Sequence, residues 1–250
     1  MCTLSWQLEP NGYQVYFNRD EQRSRAIAQP VTFHTELCAA YPVDPQGGGT
    51  WIALTQAGGC LCLLNNYQAQ AVYQPRDAIS RGEIILRLLA QINQQAQHSD
   101  KIDDLASLIA QLPLARFSPF VLCYFPADLN QQQGQVQHLV WDGKQLSNLP
   151  ARNPLTSSGL DFPAVSTARY QYFDEIKPQS TQVHLDYHAS HQPERSAFSV
   201  CMHRADAHTV SFSHIKVVSG KTVVFDYYQG SPCQSIANPA AKTQINLTSQ

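Results

Sequence analysis

The alternation of apolar and polar side chains at the start of the chain constrains the fold more than any other feature. Residues 2–8 and 13–17 both show this period of two, which is typical of strands with one buried face. Residues 9–12 separate them and contain an Asn-Gly pair, which tolerates the positive φ angles of a tight turn. The pattern predicts an antiparallel hairpin that begins at residue 2.

A second hairpin is predicted with strands at residues 50–55 and 60–64 and a turn at 56–59. We expect its two strands and those of the first hairpin to form one four-stranded sheet. The glycines at 47–49 precede a strand, and no Lys-Ser or Lys-Thr pair follows them, so they do not match a phosphate-binding loop. We interpret them as a turn or as a lid over an active site.

Helices are predicted in the middle of the chain. Ser80 and Glu83 form a capping-box pattern before apolar residues that recur with helical spacing. Further helices are predicted at about 102–112 and at 161–176. Strands are predicted at 120–125, 138–141, 198–203, 208–218 and 222–228, with a turn at Ser219-Gly220 joining the last two. Sheet, helices and more sheet, in this order, indicate the α+β class rather than alternating βαβ units.

Composition limits the classes of protein. The chain has 250 residues, 43% of them apolar, and we predict a single domain over residues 1–250. Its net charge is -2 with scattered Lys and Arg, which argues against nucleic acid as a partner. Neither a signal peptide nor a membrane-spanning apolar run is recognisable. We expect a cytoplasmic protein without stable membrane insertion, whose seven cysteines are mostly buried small side chains.

Cys2 carries the most distinctive chemistry in the sequence. Removal of Met1 would leave a thiol and a free α-amino group on one residue, and an α-amine with a pKa near ~7.7–8.0 can accept the thiol proton. The first hairpin brings Arg19 and Asp20 to the same end of the sheet, where they could stabilise a thiolate and hold the amine. At the exit of the second hairpin, Asn65-Asn66 could supply an amide to an oxyanion.

Several short motifs follow one another over the first third of the chain. They are Met1-Cys2, Asn18-Arg19-Asp20-Glu21, Gly48-Gly49-Thr50-Trp51, Asn66-Tyr67 and Ser80-Arg81-Gly82-Glu83. Their order resembles that of the motifs in the NRDE family, also called the transport and Golgi organisation protein 2 family. The resemblance implies a four-layer αββα fold of the N-terminal nucleophile hydrolase type, related to cysteine amidases that cleave penicillin V and conjugated bile acids. It carries the catalytic roles over to Cys2, Arg19, Asp20 and Asn66, and such hydrolysis requires no cofactor.

The sequence departs from the amidase pattern in two places. The amidases space their arginine and acid further apart, so Asp20 and Glu21 compete for the acidic role. Residues 154–161 replace a Ser-Asn stretch common in the family, and Arg204 with residues 209–211 only loosely matches its Thr-Arg-Ser pattern. The second residue of the oxyanion site therefore stays unassigned.

Two functions are compatible with these residues. The first is a cysteine amidase whose substrate is a small-molecule linear amide. The second, which the resemblance also implies, is a non-catalytic protein that binds or carries haem, a lipid or another hydrophobic ligand in the same cleft. Haem would bind reversibly, through Cys2 or a histidine, because the chain lacks a Cys-x-x-Cys-His attachment sequence. The oligomeric state is left open.

Other polar residues have simpler interpretations. Arg19, Asp20 and Glu21 could equally form a structural ion cluster. Cys60 and Cys62 point to one face of a strand and are interpreted as core residues. The histidines are interpreted as surface or hydrogen-bonded core residues, and no metal site is predicted. These histidines are His184, His188, His191, His203, His208 and His214.

Overall fold

The structure is a computed structural model that describes residues 1–96, 105–218 and 222–247. The strands are β1 (Cys2–Glu9), β2 (Gly12–Gln22), β3 (Gln29–His34), β4 (Ala39–Val43), β5 (Ile52–Thr55), β6 (Cys60–Asn65), β7 (Phe120–Phe125), β8 (Gln137–Trp141), β9 (Leu146–Asn148), β10 (Leu155–Ser157), β11 (Ala207–Val218), β12 (Thr222–Gln229) and β13 (Lys242–Asn246). The helices are α1 (Tyr67–Gln70), α2 (Gly82–Ala96), α3 (Leu105–Ala110), α4 (Phe162–Ile176), α5 (Thr181–Ala189) and α6 (Pro232–Ser235). None of the helices in the described ranges has the length and hydropathy that a bilayer crossing requires.

The strands form two antiparallel sheets. The first sheet has the order β10-β1-β2-β11-β12-β13, and the second runs in chain order from β3 to β9. Leu4 and Val15 of the first sheet pack with Ile52 and Leu54 of the second, so the inner faces of the two sheets share one core. Helices cover the outer faces, so both faces of each sheet are buried. The strands accordingly carry long runs of buried residues.

Helices cover the two outer faces. Ile84 and Leu88 of α2 pack with Leu61 on the outer face of the second sheet, together with residues of α3. Helix α5 packs on β2 of the first sheet, and α4 packs on β10. These four layers are the αββα sandwich of the α+β class that the resemblance predicted, so the predicted layer architecture is confirmed.

Two predictions about the strands are wrong. The two N-terminal hairpins do not form one sheet, because β1 and β2 lie in the first sheet while β5 and β6 lie in the second. Residues 198–203 are not a strand, because their backbone bonds to a loop instead: Cys201 N donates to the Ser190 carbonyl oxygen. Ile102, predicted to start a helix, and the turn at 219–220 lie outside the described residues.

Helix α5 carries two buried histidines. The Ser5 hydroxyl lies 3.0 Å from His184 Nδ1 and 2.9 Å from His188 Nε2. Burial lowers the pKa of His184 to about 4, so this imidazole is neutral at physiological pH. His184 also stacks on Tyr16 with 4.3 Å between ring centroids. The prediction of hydrogen-bonded core histidines is confirmed for these two residues.

We expect Gly49→Ala to lower the free energy of unfolding by about 1–3 kcal/mol, which is typical of overpacking. An added Cβ at Gly49 would lie 2.3 Å from the carbonyl carbon of Gly82, the first residue of α2, and backbone cannot move as freely as a side chain. Gly159→Ala is the control, because its Cβ would meet Tyr67 at 3.5 Å, an ordinary contact. Urea unfolding of both variants tests this, and equal midpoints would contradict it.

Candidate active site

Cys2 is the first residue of β1, and β1 is paired on both sides. In the register, Cys2 lies opposite Arg19 of β2 and opposite Ser157 of β10. The Cys2 side chain is 8% exposed and belongs to the core between the sheets. The structure thus brings Cys2 and Arg19 together, as the predicted hairpin requires, and fixes Cys2 between two neighbouring strands.

A cavity of about 400 Å³ opens beside Cys2, a volume within the usual range for small-molecule sites. The charged side chains in its lining are those of Arg19, Glu21, Arg25, Asp44 and Arg81. Trp51 and Leu63 contribute apolar surface, and Gly49 forms part of the wall. Cys2 therefore borders a cavity whose lining is largely polar and includes several charged side chains.

Arg19 is the centre of an ion cluster on this wall. Its Nη2 atom lies 3.2 Å from Asp44 Oδ2 and 3.4 Å from Glu21 Oε2, and its guanidinium lies 4.1 Å from the centroid of the Trp51 ring. Arg25 Nη2 lies 2.6 Å from the same Asp44 oxygen. Burial alone would raise the pKa of Asp44, but hydrogen bonding from Arg25 holds it below its usual value. The ion-cluster interpretation thus holds for Arg19 and Glu21.

Asp20 points to the opposite face of the sheet, because side chains alternate along a strand. Its carboxylate is fully buried, its Oδ1 accepts a hydrogen bond of 2.7 Å from Thr209 Oγ1, and its Oδ2 lies 3.8 Å from Arg169 Nη2. Arg169, from α4, is equally buried and donates to the Thr3 and Thr156 hydroxyls at 2.7 and 2.9 Å. Asp20 and Glu21 therefore do not compete for one position, and Asp20 belongs to a buried ion pair behind the first sheet.

A β-bulge in β11 places Thr209 against Asp20. The register with β2 shifts so that Thr209 lies opposite Asp20 while Ser211 lies opposite Arg19. Among the residues that the structure describes, no group hydrogen bonds to Asp20 Oδ2, although this atom is buried. A buried carboxylate oxygen without a donor is rare, and it leaves one acceptor free in this part of the site.

The nitrogen of Cys2 and the start of the chain have defined partners. Cys2 N donates a hydrogen bond of 3.0 Å to Ser157 Oγ. The Met1 α-amino group donates to the Asp20 carbonyl oxygen at 3.2 Å and to Tyr67 Oη at 3.3 Å. Burial raises the pKa of the Cys2 thiol to about 11. While Met1 is retained, the thiol is therefore protonated at neutral pH.

The two asparagines at the end of β6 have different surroundings. Asn65 lines the cavity, and its Nδ2 donates to Tyr67 Oη at 2.7 Å. Asn66 is the N-cap of α1, where its Oδ1 accepts from Ala69 N at 3.2 Å and its Nδ2 donates to the Trp141 carbonyl oxygen at 3.4 Å. The structure thus places the Asn65 amide in the cavity wall and the Asn66 amide in a helix cap.

Sequence reasoning missed several residues of this site. Arg169 had a detectable signal, because Val165, Arg169 and Phe173 share one face of a predicted helix, and an arginine between two core positions needs a buried partner. Ser157 lies in the segment that departs from the amidase pattern. For Asp44, which joins the ion cluster from the far side of the cavity, we find no signal in the sequence.

Outside the cavity, the structure brings together a second group of reactive side chains. The ligand atoms of His191, Cys201, His203 and Cys233 all lie within 4.8 Å of one another. All seven cysteines are free, including Cys60 and Cys62 in the core. The fold makes His191 and His203 neighbours, with 5.0 Å between their ring centroids, which the sequence does not indicate.

Comparisons with known proteins place the chain in a family. A search among curated proteins finds no match. Among solved structures, the N-acylethanolamine-hydrolyzing acid amidase (NAAA) ortholog of Caenorhabditis elegans is similar, with a TM-score of 0.48, 10% sequence identity, and coverage of 86% of this chain and 92% of that chain. The family description Transport and Golgi organisation 2 matches residues 1–211. Because this match covers most of the sequence, the chain belongs to the Transport and Golgi organisation 2 family.

Proposed function

We propose that, once Met1 is removed, this protein is a cysteine amidase that hydrolyses linear C–N amide bonds with Cys2 as its nucleophile. The observation that carries the proposal is the position of Cys2 at the head of a doubly paired strand. Its thiol lies on the wall of the cavity, and its nitrogen is already held by Ser157 Oγ. Removal of Met1 converts that nitrogen from an amide into an amine without moving the strand.

The reaction uses this amine as the base. The thiol proton passes to the Cys2 α-amino group while the sulfur forms a bond to the substrate carbonyl carbon. The tetrahedral intermediate then breaks its C–N bond, and the leaving amine takes the proton back from the ammonium group. Water attacks the resulting thioester with the same amine as base, which releases a carboxylic acid and regenerates the thiol.

The neighbouring residues have distinct roles in this proposal. Burial is the main cause of the raised Cys2 pKa, and the charge of Arg19 opposes it, which favours the thiolate. Asp20, with one oxygen free of hydrogen bonds, positions the new ammonium group by charge. Asn65, in the cavity wall, donates to the oxyanion. Asn66, to which the sequence assigned this role, supports the wall by capping α1.

The cavity lining indicates the kind of substrate. Several charged side chains line the space, and Arg25 and Arg81 contribute guanidinium groups to it. Such walls favour an amide that carries polar or charged substituents, because an apolar ligand would remove solvent from these charged groups. The alternative function as a haem or lipid carrier stays a prediction. Within the described part of the chain, no contact favours it over the amidase.

The test combines the intact mass of the purified protein with a panel of N-acylated amides and a cysteine-directed electrophile. We expect loss of Met1, turnover of at least one polar amide, and labelling at Cys2. Cys2→Ala should abolish turnover and this labelling, whereas Cys38→Ala, a half-buried thiol outside the cavity, should leave both unchanged.

Two results would contradict the amidase. One is a preparation that turns over amides while every chain retains Met1, since the base would then be absent. The other is full turnover by Cys2→Ala. Saturable haem binding that depends on Cys2, without any turnover, would instead favour the carrier.

A further inference from the structure

Four metal-binding side chains meet at one end of the first sheet, outside the Cys2 cavity. His191 follows α5, Cys201 and His203 lie in the irregular segment before β11, and Cys233 lies in α6. Three separate stretches of chain thus contribute them. Their proximity is a product of the tertiary fold, and a local sequence motif would not reveal it.

Two distances within this cluster match those between ligands of a single ion. Cys201 Sγ and Cys233 Sγ each lie 3.5 Å from His203 Nε2. In a tetrahedral zinc site, with Zn–S of about 2.3 Å and Zn–N of about 2.05 Å, sulfur and nitrogen ligands are about 3.5 Å apart. Hydrogen bonding explains the arrangement less well, because one imidazole nitrogen has a single lone pair and cannot accept fully from two thiols.

The orientation of the two imidazoles supports the same interpretation. His203 presents Nε2 to both sulfurs, and its Nδ1 lies 3.5 Å from Arg195 Nη2, beyond the usual length of a hydrogen bond. The His191 ring lies 5.0 Å from the His203 ring, centroid to centroid. His191 Nε2 is buried and has no hydrogen-bond partner among residues 1–96, 105–218 and 222–247. A ligand bond to a metal would satisfy such a nitrogen.

We propose that His191, Cys201, His203 and Cys233 bind one Zn²⁺ in a structural Cys₂His₂ site. Two thiolates and two neutral imidazoles give a site with no net charge, and binding releases the two thiol protons. Four protein ligands complete a tetrahedral shell, which leaves no position for a catalytic water. The ion fastens the segment that contains Cys201 and His203 to the helix that contains Cys233.

Two hydrogen bonds connect this site to the core of the first sheet. Met202, between the two ligands of the irregular segment, donates its N–H to Thr209 Oγ1 at 2.8 Å. The same hydroxyl donates to Asp20 Oδ1 at 2.7 Å. Anchoring residues 201–203 therefore holds Thr209 in place through the backbone, although the metal touches neither Thr209 nor Asp20.

The test is the metal content of protein produced with a cleavable tag that contains no histidines. We expect about one equivalent of zinc per wild-type chain, retained through dialysis. Cys201→Ser and Cys233→Ser should each bind zinc at least about tenfold more weakly. Cys38→Ser is the matched control, because this thiol lies outside the cluster, and it should retain the full equivalent.

A second measurement uses only the wild-type chain, so it tests the proposal even if the cysteine variants fail to fold. Titration of the metal-depleted protein with Co²⁺ should produce the visible absorption of tetrahedral thiolate-bound cobalt, saturating at about one equivalent. Absence of both zinc and this absorption would overturn the proposal, and so would a Cys201–Cys233 disulfide in the mass spectrum of freshly prepared protein. Cys2→Ala should keep its zinc, so failure of the amidase proposal leaves this result unaffected.

Discussion

Replacing Arg169 with methionine is expected to lower the free energy of unfolding by about 3–5 kcal/mol, the usual cost of removing one partner of a buried ion pair. The fully buried Asp20 carboxylate would then lose its cationic partner and have Thr209 as its hydrogen-bond donor. The Thr3 and Thr156 hydroxyls would lose the hydrogen bonds that they accept from the guanidinium. Urea unfolding followed by circular dichroism measures the loss.

The control for this variant is Arg152→Met. Arg152 and Asp174 form an ion pair of 3.3 Å in which both side chains are more than half exposed, so its removal should cost about 0–1 kcal/mol. A double variant, Asp20→Asn with Arg169→Met, should recover part of the stability, since no unpaired charge stays buried. Equal losses for Arg169→Met and Arg152→Met would show that the buried pair does not stabilise the fold.

Alkylation of Cys2 is expected to be about 100-fold slower at pH 7 than that of an ordinary thiol as long as Met1 is retained. Burial raises the Cys2 pKa from 9.0 to about 11, and the thiolate is the reactive form. The reactive fraction therefore grows about tenfold per pH unit as pH rises and levels off only above about pH 11. Protein made with methionine aminopeptidase inhibited, followed by mass spectrometry of the labelled peptide, supplies this profile.

The same protein after Met1 removal is the matched comparison. Its Cys2 amine, with an ordinary pKa near ~7.7–8.0, can take up the thiol proton, so labelling should level off at about pH 8 instead of pH 11. Cys38 in both preparations serves as an internal reference for the electrophile. Identical pH profiles for Cys2 before and after trimming would show that the amine does not act on the thiol.

Local patterns in the sequence predicted the elements that depend on neighbouring residues. The first hairpin was predicted at 2–8 and 13–17 and is observed as β1 and β2, which extend further at their ends. Residues 120–125 were predicted as a strand and are β7. In these segments the alternation of side chains and the turn residues act within a few positions of one another, so the sequence contains the decisive information.

Local patterns could not predict which distant segments of the chain come together in the fold. Which hairpins share a sheet depends on where β3, β4 and β11 insert, and no periodicity records that order. The residue proposed for the oxyanion shows the same limit on a smaller scale. Asn65 ends a strand and Asn66 caps a helix, so a shift of one position decides which amide faces the cavity. The proposed metal site forms because three chain segments come together, and this proximity is visible only in the three-dimensional structure.

The position of β1 between β10 and β2 has a consequence for the order in which the protein matures. During synthesis from the N-terminus, β10 emerges only after residue 157 and β11 only after residue 218, so the first sheet closes late. Once it has closed, the Met1 amine is held by the Asp20 carbonyl and the Tyr67 hydroxyl. An aminopeptidase that needs an extended terminus would therefore have to act before the first sheet closes, so that trimming and folding compete for the same residue.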